Sequence, residues 1–158
     1  DDSTLALAVN VHPRDSSVFA GKVLRHPHCG PDALHAIDER TTDPWIRERV
    51  WSHPRMDMAT LADWKSHVSY DRYEAAFGAA RSPKLDFALA SSLASLDNPD
   101  VDRRLASNPR TPTELLGQNL ARNPSLPLAS LKVLRDRYPD DPGMQAMLDG
   151  NPVSTDRH

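Results

Sequence analysis

A short phrase that ends in His-Pro or Asn-Pro recurs along this chain of 158 residues, each time with an apolar residue four positions before the proline. Such self-similarity predicts stacked units, because one unit cannot bury its apolar face alone. The anchoring prolines, of which Pro83 is the most degenerate, are Pro13, Pro27, Pro54, Pro83, Pro109, Pro124 and Pro152. They predict a single helical-repeat domain over residues 1–158 with about five irregular units.

The apolar residues around each anchor keep a fixed register. Residues four and seven apart share one face of an α-helix, so the register predicts one helix before each anchor and another after it. Four positions before the anchors stand Val9, Val23, Val50, Ala79, Leu105, Leu120 and Leu148. Seven and ten positions after the anchors, the register includes Leu34, Ile37, Leu61, Trp64, Ala90, Leu93, Leu131 and Leu134. Strand signals are poor, and we expect an all-α fold with these side chains in its core.

Proline also indicates where the helices begin. It has a fixed φ and no amide hydrogen, so it fits the first turn of a helix and disfavours helix at the residue before it. The Asn, Ser or His before each anchor, such as Asn108 or His53, is therefore predicted to cap the helix that follows. A second set of prolines behind Asp or Asn, midway through the longer units, comprises Pro44, Pro99 and Pro142.

Composition bounds the compartment and the partners. Cys29 is the single cysteine, which excludes an intramolecular disulfide framework and favours a reducing compartment, so we expect a cytoplasmic protein. No stretch reaches the roughly 18 apolar residues of a membrane span, and no signal-peptide pattern follows Asp1. We expect a protein without a membrane segment that is a monomer or part of a larger chain.

Two stretches carry a family resemblance. The phrase Leu105-Ala106-Ser107-Asn108-Pro109 and the segment Pro124-Ser125-Leu126-Pro127-Leu128-Ala129-Ser130-Leu131 resemble the leucine-rich repeat variant family. The resemblance implies longer α-helices that alternate with short 3₁₀ helices in a right-handed superhelix. The fold expected on this basis is a short right-handed α-solenoid of irregular repeats.

Cofactor sites are not expected. One branch of that family carries an iron–sulfur cluster on a cysteine-rich segment, and a single cysteine cannot supply the usual four thiolates. The metal-ligand residue types between His26 and His35, which include His28 and Cys29, match no zinc spacing, so helix-capping and turn roles are favoured. Cys29 is either a thiol activated by a helix N-terminus or an inert buried one.

Catalytic motifs are also missing from the sequence. It contains no Gly-x-Ser-x-Gly elbow, no His-Glu-x-x-His pair and no glycine loop for phosphates. We therefore expect that the protein is not an enzyme, and an enzyme with scattered catalytic groups is the third interpretation.

Arginines suggest one kind of partner. Arg47 and Arg49 lie in one predicted helix and Arg103 and Arg104 in another, so repetition could align them into a stripe that meets phosphates. The formal net charge of −3 and the pI near 6.2 disfavour this, as do the acidic neighbours of these arginines. A nucleic-acid-binding helical solenoid is the alternative function.

Tryptophans suggest the favoured partner. Trp45 and Trp51 each stand one position off the core register, and an exposed aromatic ring is a typical anchor at a protein interface. Core filling is the other interpretation of both rings. We predict a non-catalytic interaction module that binds another protein through Trp45 and Trp51, with Arg47 and Arg103 as flanking contacts.

Overall fold

The computed structural model describes residues 1–11, 17–69, 73–112, 115 and 128–150, without the side chains at 128–130, 133, 137 and 147. This part of the chain is helical and forms no β-strand, as the all-α prediction requires. Its helices are α1 (Asp2–Val11), α2 (Ser17–Val23), α3 (Pro31–Arg40), α4 (Pro44–Trp51), α5 (Met58–Ala62), the 3₁₀ helix (Trp64–His67), α6 (Glu74–Arg81), α7 (Phe87–Ala94), α8 (Pro99–Ser107), α9 (Leu128–Arg137) and α10 (Pro142–Asp149).

The chain divides into two compact units, Asp1–Lys84 and Leu85–His158. In the first unit, α1 packs on α3, and α4 packs on both α3 and α6. In the second unit, α8 packs on α7 and α9, and α9 also contacts α10. A single repeat domain over residues 1–158 stays a prediction.

The predicted core register is confirmed four positions before the anchors and seven and ten positions after them, wherever the structure describes these residues. Of the positions eight before the anchors, Leu5 and Phe19 are only half-buried. The residues four positions before the anchors that are described, from Val9 to Leu148, are all buried. So are the register residues after the anchors: Leu34, Ile37, Leu61, Trp64, Ala90, Leu93, Leu131 and Leu134. Leu120 lies outside the described residues. The apolar spacing around the prolines therefore identifies the side chains that the helices bury against their neighbours.

Each described anchor lies in a turn of the same construction. At Pro54, the Met56 N–H donates to the carbonyl of His53 at 3.0 Å, and the Arg55 N–H donates to His53 Nδ1 at 3.2 Å. The His53 N–H in turn donates to the carbonyl of Val50 at 3.1 Å, which closes the end of α4. The side chain before the proline thus fastens a turn between two helices.

At the other described anchors too, the side chain of the residue before the proline accepts the backbone N–H of the residue after it. The matching pairs are His28 N–H to His26 Nδ1, Lys84 N–H to Ser82 Oγ and Arg110 N–H to Asn108 Oδ1. The predicted helix breaks at Pro27, Pro54, Pro83 and Pro109 are therefore confirmed. Pro13, Pro124 and Pro152 lie outside the described residues.

The prediction that these side chains cap the following helix is wrong after Pro27, Pro54 and Pro83, where the structure describes the start of that helix. The helix begins four residues after the anchor, and its cap is the residue three after the anchor. Asp57 accepts the N–H of Thr60 at 2.8 Å, and Asp86 accepts the N–H of Leu89 at 2.8 Å. A proline fits the first position of a tight turn as well as the first turn of a helix, and here the turn is formed.

The helix that follows Pro27, α3, is capped by a side chain of another helix, α1. Gly30 is the residue before α3 and has no side chain to offer, so the carboxylate of Asp2 in α1 takes this role. Its oxygens accept the N–H groups of Gly30 at 2.7 Å, Asp32 at 2.9 Å and Ala33 at 3.1 Å. A side chain at position 30 would collide with this carboxylate, so the glycine makes the contact between α1 and α3 possible.

The second set of prolines behaves as predicted. Pro44, Pro99 and Pro142 each occupy the first turn of a helix, and Asp43, Asn98 and Asp141 cap these helices. A hydrogen bond from Ser17 lowers the pKa of Asp43 below its ordinary value; burial opposes this shift, and the N–H groups of Ile46 and Trp45 add to it.

The turn at Pro54 makes stability depend on pH. Burial lowers the pKa of His53, the backbone of Leu24 opposes this shift, and Arg55 and Arg49 add to it. The unfolded chain therefore takes up a proton at higher pH than the folded chain, so this stability is present above about pH 6.5 and is lost as the pH falls below it.

We expect the variant His53→Asn to flatten the free energy of unfolding as a function of pH between about 7.5 and 5. Asparagine occupies the same place at Pro109 and accepts the turn bond without titrating in this range. Urea denaturation at a series of pH values measures the slope, and the exposed His28→Asn is the control. An unchanged slope in His53→Asn would contradict the assignment.

Candidate interaction surface

Trp45 lies in the first turn of α4, with 61% of its surface exposed. Its backbone N–H donates to the Asp43 cap at 2.9 Å, so the start of the helix is fixed. The guanidinium carbon of Arg49, one turn on, lies 4.6 Å from the ring centroid. This cation–π contact holds a large apolar ring on the surface in a defined orientation.

A second exposed apolar side chain belongs to the same junction. Ser17 at the start of α2 hydrogen-bonds to Asp43, and the next residue, Val18, is 73% exposed. We refer to Trp45, Arg49 and Val18 as the Trp45 surface. Val18 was not singled out in the sequence, where it stands beside the half-buried Phe19. Its position off the apolar register of the Pro27 anchor is the signal that could have identified it as exposed.

Other large apolar side chains are exposed singly or in pairs. Leu7 and Val11 are four residues apart on α1, with 63% and 76% of their surfaces exposed. The buried Val9 lies between them in the sequence, so α1 has one face in the core and another outside. Met58 and Phe87 are exposed on α5 and α7.

The prediction that Trp51 is a surface anchor is corrected. Its side chain is completely buried, and its indole N–H donates to Asp38 Oδ1 at 2.9 Å. The ring of His67 meets it edge-on with 4.8 Å between centroids, and Gly78 of α6 packs against its Cβ. Trp51 faces α6 at the end of α4, so it fills the core, which was the other interpretation of this ring.

Arg47 holds the end of α3 and is not a free flanking contact as predicted. Its Nε lies 3.2 Å from Asp38 Oδ1, and a terminal nitrogen donates to the carbonyls of Asp38 at 2.9 Å and Thr41 at 3.3 Å. These carbonyls come at the C-terminal end of the helix, where the macrodipole favours a cation. The side chain therefore ties α4 to α3.

Arg103 is exposed in the second unit and pairs with Asp100, three residues before it in α8. Arg104 donates to the Asp100 carbonyl at 3.0 Å. An exposed pair of this kind contributes about 0–1 kcal/mol, so it leaves the guanidinium of Arg103 accessible. Its role in binding stays a prediction.

Of the metal-ligand residue types near Pro27, His26 and His28 lie close together, with 5.6 Å between their ring centroids. Cys29 is completely buried, whereas His35 lies against Thr60 and Asp57. Burial and, to a smaller extent, the nearby Asp2 raise the pKa of the Cys29 thiol to about 11, against an opposing effect of Arg55. Of the two alternatives for Cys29, the structure supports the inert buried thiol. Among the described residues, no group of three His, Cys, Asp or Glu side chains is placed to hold a metal ion.

One cluster, of Thr60, His35 and Asp57, has the residue types of a catalytic triad but not the geometry that a triad requires. His35 Nε2 lies 3.0 Å from Thr60 Oγ1 and 3.2 Å from Asp57 Oδ2, so the same ring nitrogen meets both groups. In a triad the hydroxyl and the carboxylate bind opposite nitrogens of the ring. Burial raises the pKa of Asp57, but the amide and hydroxyl of Thr60 and the nearby His35 together lower it below its ordinary value.

No protein-family model, no curated protein and no solved structure matches the chain. Within the described residues, no helix has the length and apolar character needed to cross a membrane.

Proposed function

We propose that this protein is a non-catalytic interaction module that binds another protein, built as a short right-handed α-solenoid of irregular repeats like those of the leucine-rich repeat variant family. The repeated turn at four anchors and the buried register before and after them support a stack of related units. The lone buried thiol is compatible with the cytoplasmic location that we propose for it.

One observation carries the protein-binding role, the exposure of Trp45 under the guanidinium of Arg49. Tryptophan and arginine are enriched among the residues that dominate interface energy. A ring that is already held in one orientation loses less conformational entropy when a partner covers it. Val18, which follows Ser17 at the contact with Asp43, is a second exposed apolar side chain, and Arg49 adds a cation that can orient an acidic group of the partner.

The alternative of a nucleic-acid-binding solenoid receives less support. A free arginine stripe would leave guanidinium groups available to phosphates. Arg47 is instead held by Asp38 and two carbonyls, and Arg49 lies on Trp45, so of these three arginines only Arg103, in its exposed pair with Asp100, stays accessible. Protein binding is therefore the function that we put to the test.

We expect Trp45→Ala to weaken capture of the partner at least tenfold and to leave the melting temperature within about 2 °C of the wild type, since an exposed ring adds little to the core. The test is affinity purification from the native host at low and high salt, with the whole chain as bait. Phe87→Ala, which removes an exposed aromatic ring from the other unit, is the matched control.

Retention of the partner at high salt by wild type and Phe87→Ala, together with its loss in Trp45→Ala, is the expected result. Capture that survives Trp45→Ala would contradict the proposed surface. Capture of nucleic acid that falls steeply with salt and disappears when Arg49, Arg103 and Arg104 are neutralised would favour the alternative.

A further inference from the structure

A cleft of about 210 Å³ opens in the first unit, away from the residues of the Trp45 surface. Helix α3, the turn after Pro54, α5 and the 3₁₀ helix each contribute to its wall. The lining residues are His35, Asp38, Glu39, Met56, Thr60 and His67. Met56 is completely buried and supplies an apolar wall, while the other side chains offer oxygen and nitrogen atoms.

Asp38 is the notable group in this wall, because only 8% of its surface is exposed. Its Oδ1 accepts the Trp51 indole N–H and faces the Nε of Arg47. Within the described part of the chain, its Oδ2 has one contact, a long one to His67 Nδ1 at 3.4 Å. A buried carboxylate oxygen normally accepts well-formed hydrogen bonds, so this oxygen retains the capacity to accept a donor from the cleft.

Glu39 follows Asp38 on α3 and is exposed, and it has no ion-pair partner within the part of the chain that the structure describes. Asp57 adds a carboxylate behind His35. Two cations beside the cleft are held by backbone carbonyls, Arg47 by that of Asp38 and Lys84 by that of Met56. The imidazoles of His35 and His67 also line the cleft, and each faces a carboxylate, that of Asp57 or of Asp38. The carboxylates of Asp38 and Glu39 favour a ligand that is cationic and rich in N–H donors.

We propose that this cleft binds the guanidinium of an arginine side chain presented by a protein partner, with Asp38 Oδ2 and Glu39 as its acceptors. The planar guanidinium has five N–H donors and can donate to two carboxylates at once. The source of the arginine rests on the proposed protein-binding function, whereas the chemistry of the cleft does not.

The test is an NMR titration of the whole chain with the peptide acetyl-Gly-Arg-Gly-amide. The matched probe is the same peptide with citrulline, a neutral isostere of arginine. We expect saturable shifts of the amide signals of Asp38, Glu39 and His67 with the arginine peptide and no saturation with the citrulline peptide. Glu39→Gln should weaken binding about tenfold, as loss of one charge-assisted hydrogen bond predicts, and Asp140→Asn in the other unit should leave it unchanged.

Equal binding of the citrulline peptide, shifts that map elsewhere, or unchanged affinity in Glu39→Gln would each overturn the proposal. The titration contains no partner, so its failure leaves the Trp45 experiment intact. Conversely, failure of Trp45→Ala to affect capture leaves the titration result standing.

Discussion

Gly78→Ala is expected to destabilise the first unit by about 3 kcal/mol or more. Gly78 lies in α6 at the point where that helix crosses α4, and it is buried. A Cβ there would lie 2.5 Å from the backbone oxygen of Glu48 and would also collide with the Cβ of Trp51. Neither a backbone atom nor a Cβ can rotate away, so the helices would have to separate.

Gly21→Ala in α2 is the matched control for that variant. Gly21 is buried as well, but a Cβ added there would meet no atom within 4 Å. Alanine within a helix is favoured over glycine by about 0.5–1 kcal/mol, so this variant should be more stable than the wild type. Urea denaturation of both variants measures the two free energies of unfolding. Similar losses in the two variants would contradict the close contact between α4 and α6.

Leu105→Ala is expected to lower the free energy of unfolding by about 2–5 kcal/mol, because it leaves a cavity in the buried register of α8. Asn108→Ala should cost less, about 0.5–2 kcal/mol, the range for loss of a side chain that satisfies backbone N–H groups at a helix end. Asn108 Oδ1 accepts the N–H of Arg110 at 2.9 Å, and this turn bond is lost in the variant.

Thermal denaturation of the two variants tests the order of these losses. The wild type and an exposed change in the same helix, Ser107→Ala, provide the reference. A larger loss in Asn108→Ala than in Leu105→Ala would mean that the turn contributes more to stability than the core does, contrary to the account given above.

The core was predictable because helical periodicity and burial have the same cause. Val50 and Leu105 stand at the same distance before their prolines, and each is completely buried where its helix meets a neighbour. Caps with a proline directly behind them, such as Asp43 and Asn98, were predictable too. Proline favours the first position of a helix, so the residue before it takes the N-cap position. Short-range rules of this kind do not depend on how the helices pack.

Other features depend on contacts between distant parts of the chain. The cap of α3 by Asp2 links residues 28 to 31 positions apart, and no local pattern predicts it. Trp51 was placed on the surface because its position is one off the register, but the missing side chain of Gly78 opens room for it. Asp38 and His67, which both line the cleft, are far apart in the sequence. They meet because one lies on α3 and the other on the 3₁₀ helix.

Hydroxyl-radical footprinting of the protein alone and with its captured partner measures directly whether the Trp45 surface is covered. Strong protection of Trp45 and Val18 is expected in the complex, because these exposed side chains would become buried. Phe87 should stay equally reactive, and Trp51 and Trp64 should be unreactive in both states because they are completely buried. Unchanged reactivity of Trp45 in a complex that forms stoichiometrically would contradict the claim that this surface binds the partner.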